Sequence, residues 1–450
     1  MLLKAKKFCK KIFRYAGVTG QRLTGSAGLF LLKDYMVKTG LPERFSAGIT
    51  DMREQFRIRY SASELHLCGV LRILNGQFRH SHSRNTDVSL FETMYGSGTV
   101  PDFRTLIYYH ERNPHLWKEQ EKILYDMCTE NIRKRMPDVK NPRITLDIDQ
   151  TAKAVYGRQA GARKGYSAKE RNSKLFQCAV WTVRETKTVL KIELLPGETH
   201  SGYDLLERLR PTLEKLKKDG FRLRLVLDSG YENTAVFDYL ESEGIEFICA
   251  AKQRKAVKLR GRNAKNRTLL KEKGNVTAFI KERKLNTPEG SEFRQIYVQN
   301  RIACDEHGQL YFKEFDSGEF TNVFVTNMKI SRKNIYKIYR KHASVETVIE
   351  ELKNDFGLAA SHSMFFPVNC AMAQTCAIAY NVKNMFVAEY SVLRNKKETV
   401  KLSTLQRKFI NIPGIIANRS GRTVLRLEHS AFQKLKGYFS IFGYNINTFS

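Results

Sequence analysis

The 450-residue sequence predicts a mixed α/β protein, with an all-α N-terminal region followed by an α/β core that a β-rich insertion interrupts. Three observations predict it. Apolar residues recur at three- and four-residue steps up to about residue 140, and alternating strand patterns begin abruptly at Arg143. About eighty residues with strand-like patterning then separate two parts of the core, too many for a structureless loop. Hydrophobic residues make up 42% of the chain, enough for real cores in two or three domains. Lys and Arg number 77 against 46 Asp and Glu, and the resulting charge of +31 is spread along the whole chain. Such an excess implies a polyanion partner, nucleic acid before any other, because neutralising phosphates releases counterions. Ribosomal, heparin-binding and membrane-surface proteins share the signature.

The helical region, residues 1–140, contains AGLFLLKDYMVKTGL, SELHLCGVLRILNGQF and PHLWKEQEKILYDMCTENIRKRM, separated by turn signals at Gly40-Leu41-Pro42, Gly96-Ser97-Gly98 and Asn113-Pro114. It reads as a bundle that contacts DNA. The basic start, MLLKAKKFCKKIFRYAG, lacks the apolar core and cleavage site of a signal peptide and fits a DNA-contacting arm. Segment 99–112 is compatible with the second helix of a helix-turn-helix, although taken alone it reads first as a packing helix.

The first part of the core, 141–251, opens on RITLDID, a strand with Thr145, Asp147 and Asp149 on one face and Ile144, Leu146 and Ile148 on the other. A basic, Gly-bearing loop follows, YGRQAGARKGYSAKERNSK, whose Arg163 and Lys164 suit a run of phosphates. LFQCAVWTV and TVLKIELL extend the first strand into a meander. SGYDLLERLRPTLEKLKK is a helix that Pro211 kinks, and FRLRLVLDSG is a buried strand ending on Asp228. One more helix, ENTAVFDYLESEG, and one more strand, IEFICAA, complete the order βββ, α, β, α, β. Three antiparallel strands followed by right-handed β-α-β crossovers is the arrangement of a ribonuclease-H-like core.

Residues 252–332 form the insertion, with Lys252 and Arg254 in its basic start and strand candidates VTAFIKE, FRQIYVQNR, LYFKEF and TNVFVTN. The last part of the core, 333–395, begins with one helix over Ile335–Phe356. At about 100° per residue this helix sets Tyr339, His342, Glu346, Glu350 and Lys353 down one side. A strongly apolar helix follows, with Asn369 and Asn381 as polar exceptions, and 396–450 is a small terminal subdomain. Eight scattered cysteines show no CxxC pair and no Cys/His cluster, so they read as reduced core residues of a cytoplasmic protein, with neither zinc nor disulfides. No apolar run approaches the ~18 residues of a spanning helix, so no membrane partner is expected.

The core topology brings together Asp149 or Asp147 from the first strand, Asp228 from the fourth and Glu346 from the last helix. Three carboxylates in one pocket repel unless divalent cations neutralise them, which makes Mg²⁺ or Mn²⁺, two ions, the expected ligand. Two such ions suit an in-line phosphoryl displacement.

Over nearly its full length the chain resembles a bacterial insertion-sequence DDE transposase, most closely the insertion-sequence 1380 family. LDIDQT (146–151) with the following YG and GARKGY, PGETHSG (196–202), LRLVLDSGY (223–231) and VFVTN (323–327) carry the resemblance. The superfamily's helix signature, Y-x2-R-x3-E-x6-K, is matched by Tyr339, His342, Glu346 and Lys353, with His342 in place of the arginine. The resemblance implies Asp149, Asp228 and Glu346 as catalytic metal ligands. Asp149 is preferred to Asp147 because Thr151 follows it at the family spacing, and Asp147 becomes an alternate ligand. Tyr339 and Lys353 are implied to position phosphates. His342 takes over a phosphate-contacting place with a side chain largely neutral at pH 7. Arg340, about 120° around the helix from Glu346, would serve a different phosphate. The implied activity is cleavage at transposon ends and strand transfer into target DNA, by a homo-oligomer on terminal inverted repeats in the bacterial nucleoid. The alternatives are a catalytically inactive architectural or repressor protein and a structure-selective nuclease on the same core.

Overall fold

The computed structural model describes residues 22–441 except 55, 57, 80, 83–89, 92–93, 95–99, 166–172, 253–266, 274–275, 288–289, 303–318, 394–399 and 420–421. Helices start where the sequence supplies caps. After β1 (Arg22–Thr24), α1 (Leu29–Lys38) and α2 (Leu41–Gly48), Ser61 and Glu64 close a capping box on α3 (Ala62–Leu74). Asp102 accepts from Thr105 N at 2.8 Å and starts α4 (Phe103–Arg112), and α5 (Leu116–Arg135) follows.

β2 (Arg143–Ala154), the short β3 (Arg163–Lys164), β4 (Lys174–Val183) and β5 (Thr188–Pro196) come next. β4 pairs antiparallel with both β2 and β5, which gives the expected meander. From β5 the chain runs through α6 (Leu205–Lys218) to β6 (Arg222–Leu227), parallel to β2, then through α7 (Thr234–Ser242) to β7 (Glu246–Ala250), parallel to β6. Pro211 lies inside α6, which continues past it.

The insertion is not a separate body. Its strands β8 (Thr268–Lys273), β9 (Val276–Asn286), β10 (Glu292–Ile302) and β11 (Glu319–Thr326) continue the same sheet, because β11 pairs antiparallel with β7. The result is a ten-stranded sheet of order β3-β4-β2-β6-β7-β11-β10-β9-β8, with β5 also on β4. LYFKEF lies outside the described residues. Asn327, last residue of VFVTN, fastens the junction: its amide accepts from Phe247 N at 2.9 Å and donates to Ile245 O at 2.8 Å.

One face of the sheet is covered by α6 and α7. Ile144, Leu146 and Ile148 of β2 share a buried cluster with Leu209, Leu213 and Leu216 of α6 and Phe237 and Leu240 of α7. Three helices of the last part, α8 (Arg332–Arg340), α9 (Ala343–Asn354) and α10 (Phe366–Leu393), pack on different strands. α8 packs its Ile335 with Ile248, Ile296 and Phe324, while α9 lies on β2 and α10 on β5. Asn381 of α10 explains one polar exception: its amide accepts from Val189 N at 2.8 Å and donates to Val189 O at 2.7 Å, satisfying the open edge of β5. α11 (Leu402–Leu405) follows.

By its contacts the chain divides into two compact units. One comprises Met1–Leu31, Asp87–Val100 and Arg407–Ser450, the other Leu32–Thr86 and Pro101–Gln406. In the smaller unit β1 pairs with β12 (Gly414–Arg419), which pairs with β13 (Arg422–Leu427), and α12 (His429–Ile441) follows. This corrects the separate all-α region over 1–140. A strand from its start joins the C-terminal segment, and α2 to α5 belong to the unit that holds the large sheet. α5 contributes Tyr125, Cys128 and Ile132 to the sheet's main cluster, a long-range burial that helical periodicity does not reveal. Cys68, Cys128, Cys178, Cys249, Cys370 and Cys376 are free and buried, and no described helix is long and apolar enough to cross a membrane.

Candidate active site

Strand alternation puts Asp147, Asp149 and Thr151 on the face of β2 turned to α9. The parallel register pairs Ile148 with Leu227, so Asp149 and Asp228, each one residue on, come to lie at the same end of neighbouring strands. Glu346 stands in the first turn of α9. Asp149 is half-buried, while Asp228 and Glu346 are exposed and line a cleft of about 360 Å³ with Ser229, Tyr339, Arg340 and His342. Burial pushes the Asp149 carboxyl above its ordinary range. The Gln150 N–H and His342 pull it back, and the charges of Asp228 and Glu346 raise it further. The Tyr339 phenol is likewise raised, by burial first and then by Asp228, Cys249, Asp149 and Glu346. Asp149 therefore feels the charges of both Asp228 and Glu346, against the opposing pull of the Gln150 N–H and His342.

The motif glycines hold the scaffold beneath this cleft. A Cβ on Gly230 would lie 2.3 Å from Ser201 Oγ, and one on Gly197 2.2 Å from Arg163 O, so PGETHSG packs tightly on both DSGY and GARKGY. Gln150 Nε2 donates to Thr199 O at 3.0 Å and ties the same segment to the residue after Asp149.

The single helix expected over Ile335–Phe356 is broken. α8 ends at Arg340 and α9 begins at Ala343, with His342 N bonding Tyr339 O at 2.7 Å and Val345 N bonding His342 O at 2.9 Å, a tighter turn than the α-helix. Arg184, just past β4, sits at the break. Its Nη1 donates to Ile338 O at 2.9 Å, the carbonyl that His342 N would use in a continuous helix and that here also accepts from Lys341 N at 3.2 Å. The same guanidinium grips Asp147, with Nε to Oδ2 at 2.7 Å and Nη2 to Oδ1. Asp147 Oδ1 also accepts from His342 Nδ1 at 2.7 Å. Asp147, fully buried, is thus committed to Arg184 and His342, and Asp149 is the strand residue left facing Asp228 and Glu346.

Residues 14–436 match the family model for the transposase DDE domain, group 1. The chain belongs to the DDE transposases. Among solved structures it is similar to the piggyBac transposase synaptic complex with hairpin DNA, at 11% identity, TM-score 0.42, covering 84% of this chain and 78% of the other. It is also similar to the Mos1 transposase paired-end complex with left transposon end, at 18% identity, TM-score 0.17, covering 47% and 66%. A comparison with curated proteins gives no match.

The remaining expected site residues of this DNA transposase are dispersed. Lys353 Nζ donates to Thr151 Oγ1 and Ala152 O, both at 2.7 Å, so it reaches the strand two residues beyond Asp149 and does not line the cleft. Arg340 lies on the cleft rim, 6.0 Å from the Tyr336 ring. Arg163 and Lys164 are exposed on β3 and Lys252 is exposed after β7, while Arg254 lies outside the described residues. Glu350 meets Lys401 at 3.4 Å rather than Lys353. The residue the sequence did not single out is Arg184, which sits in an unremarkable turn, Arg184-Glu185-Thr186, and carries no local signal of its long-range role. Among the described residues, no group of three or more His, Cys, Asp or Glu is spaced to hold a metal ion as it stands. Asp228 and Glu346 line an open cleft rather than a closed cage.

Proposed function

We propose that this transposase cleaves DNA at transposon ends and joins the freed 3′ ends to target DNA, with Asp149, Asp228 and Glu346 as the reacting centre. The observation that carries the proposal is the placement of the three carboxylates: the β2–β6 register brings Asp149 and Asp228 to the same end of neighbouring strands, and Asp228 lines one open cleft with Glu346. Oxygen donors of one charge sign, without a protein cation paired to them, fit Mg²⁺ or Mn²⁺. Two such ions, when bound, supply the polarisation of an attacking water or 3′-hydroxyl and the neutralisation of the leaving oxygen. The β5-β4-β2-β6-β7 order, antiparallel then parallel, supports a ribonuclease-H-like core beneath the site.

In this reading the chain's own groups do the positioning. Tyr339, its ring tilted against that of Phe324 with centroids 4.3 Å apart, presents its phenol to the cleft, and Arg340 offers a phosphate contact at the rim. His342 presents its ring edge to the cleft while Asp147 fixes its orientation. Lys353 holds β2 immediately beyond Asp149. The chain's net charge of +31 supports DNA as the polyanion, and we assign the protein to a bacterial insertion sequence of the 1380 family that acts as a homo-oligomer on paired inverted repeats.

The test uses purified protein with its element's terminal DNA and Mg²⁺. D228A is expected to abolish cleavage and strand transfer while retaining DNA binding in chelator. Cleavage by D228A would overturn the assignment. Wild-type cleavage without strand-transfer products would mark a structure-selective nuclease, and binding without any cleavage an architectural protein.

A further inference from the structure

The turn between α9 and α10 exposes two large apolar side chains, Met364 at 49% and Phe365 at 57%, and it is firmly held. Asn369, fully buried in the first turn of α10, accepts from His362 N at 3.0 Å. Its amide donates to Ser363 O at 2.8 Å and to Phe365 O at 2.9 Å. From the other side Ala160 N bonds Met364 O at 2.9 Å. Gly161, at φ +78°, passes so close that a Cβ there would lie 2.8 Å from the Phe366 ring. Four residues before Ala160 stands Tyr156, 88% exposed. Single exposed apolar residues are ordinary, but a pair fixed at a braced tip beside a segment bearing a third is what an interaction site presents.

The surroundings identify the partner's charge. Arg158, Arg163, Lys164 and Lys174 are exposed on the adjoining loop and on β3 and β4, and among the described residues none of them enters an ion pair. The β3–β4 register sets Lys164 directly opposite Lys174, a like-charge pairing that costs stability unless an anion lies across it. Cations beside rigid aromatic and apolar tips match nucleic acid, whose phosphates take the charge and whose base faces take the rings.

We propose that Met364 and Phe365, with Tyr156, form a base-contacting ridge that stacks on or wedges between bases of the DNA held in the cleft. The inference rests on DNA as the substrate and adds where its bases are distorted. β2 runs from Asp149 on to Ala154, about 17 Å at about 3.3 Å per residue, and Tyr156 follows two residues later, so the ridge lies several base-pair steps from the reacting centre.

Binding of full-length protein, in chelator, is measured by fluorescence anisotropy on two labelled duplexes of equal length, one fully paired and one with a short unpaired bubble. M364A/F365A is expected to weaken binding to the bubble duplex by roughly tenfold, with an unchanged salt slope, because stacking releases no counterions. F365W in the M364A background should recover most of that loss. K164A/K174A should instead lower the slope of log affinity against log salt by about 2 on either duplex. The side chains are exposed, so the melting temperature should match wild type. Wild-type affinity of M364A/F365A for the bubble duplex, or a loss confined to self-association, would overturn the ridge and leave the transposase reading standing. Failure of wild-type protein to bind either duplex would overturn both.

Discussion

Two aspartates two residues apart on β2 occupy opposite electrostatic settings. Asp147 is fully buried and compensated, gripped by Arg184 and by His342 Nδ1 at 2.7 Å. Asp149 is half-buried and raised, by burial first, with the Gln150 N–H and His342 opposing the rise and the charges of Asp228 and Glu346 adding to it. The same strand face thus carries one carboxylate built into the architecture and one held at a cost. What separates them is the partner each has found: an arginine grips Asp147, whereas Asp149 has two carboxylates beside it.

The largest effect expected from this contrast is at Asp147. D147A leaves the largely buried Arg184 guanidinium without its counter-charge and should destabilise the protein by about 3–5 kcal/mol, read by urea unfolding. A loss under about 1 kcal/mol would show that Asp147 is not the structural partner. The change at Asp149 should have the opposite sign. Its folded-state carboxyl titrates above its unfolded value, so its contribution is favourable below the ordinary carboxylate range and is lost as pH rises through the raised value. D149N should therefore melt a few degrees higher than wild type near neutral pH, and the two curves should converge on acidification. A D149N protein less stable than wild type at neutral pH would erase the contrast. The smallest effect is expected at Glu350, whose contact with Lys401 is solvent-exposed on both sides. E350A should shift stability by less than about 0.5 kcal/mol, which separates the exposed outer side of α9 from its cleft end.

Much of the larger unit was legible because its signals are local. The alternation in RITLDID gives β2 its two faces, the turn residues after LRLVL end β6 at Asp228, and Ser61, Asp102 and Ser331 mark helix starts that the structure uses. Three of the insertion's strands, β9, β10 and β11, were legible one by one while β8 was not, and the destination of none of them was. Pairing of β11 with β7 is a contact between segments some seventy residues apart, and nothing in either strand's pattern names its partner. β1 escaped for the same reason. Three residues are too few for a periodic signal, and its partner β12 lies near the other end of the chain.

The helix break shows the limit most clearly. No proline or glycine interrupts residues 335–354, and local propensity favours one continuous helix. At the break a guanidinium from a distant turn bonds Ile338 O, and His342 there meets Asp147.

The sequence by itself determined the strand and helix order from β2 through β7 apart from the short β3, the +31 charge and the spacing of Asp149, Asp228 and Glu346, because each is a property of residue type and near-neighbour spacing. Only the tertiary structure decided that Asp147 is paired, that Lys353 binds β2, that the insertion extends the core sheet and that Met364 and Phe365 stand on a braced turn. Those outcomes depend on which distant groups compete for a given carbonyl or carboxylate, and that competition is resolved only when the chain has closed.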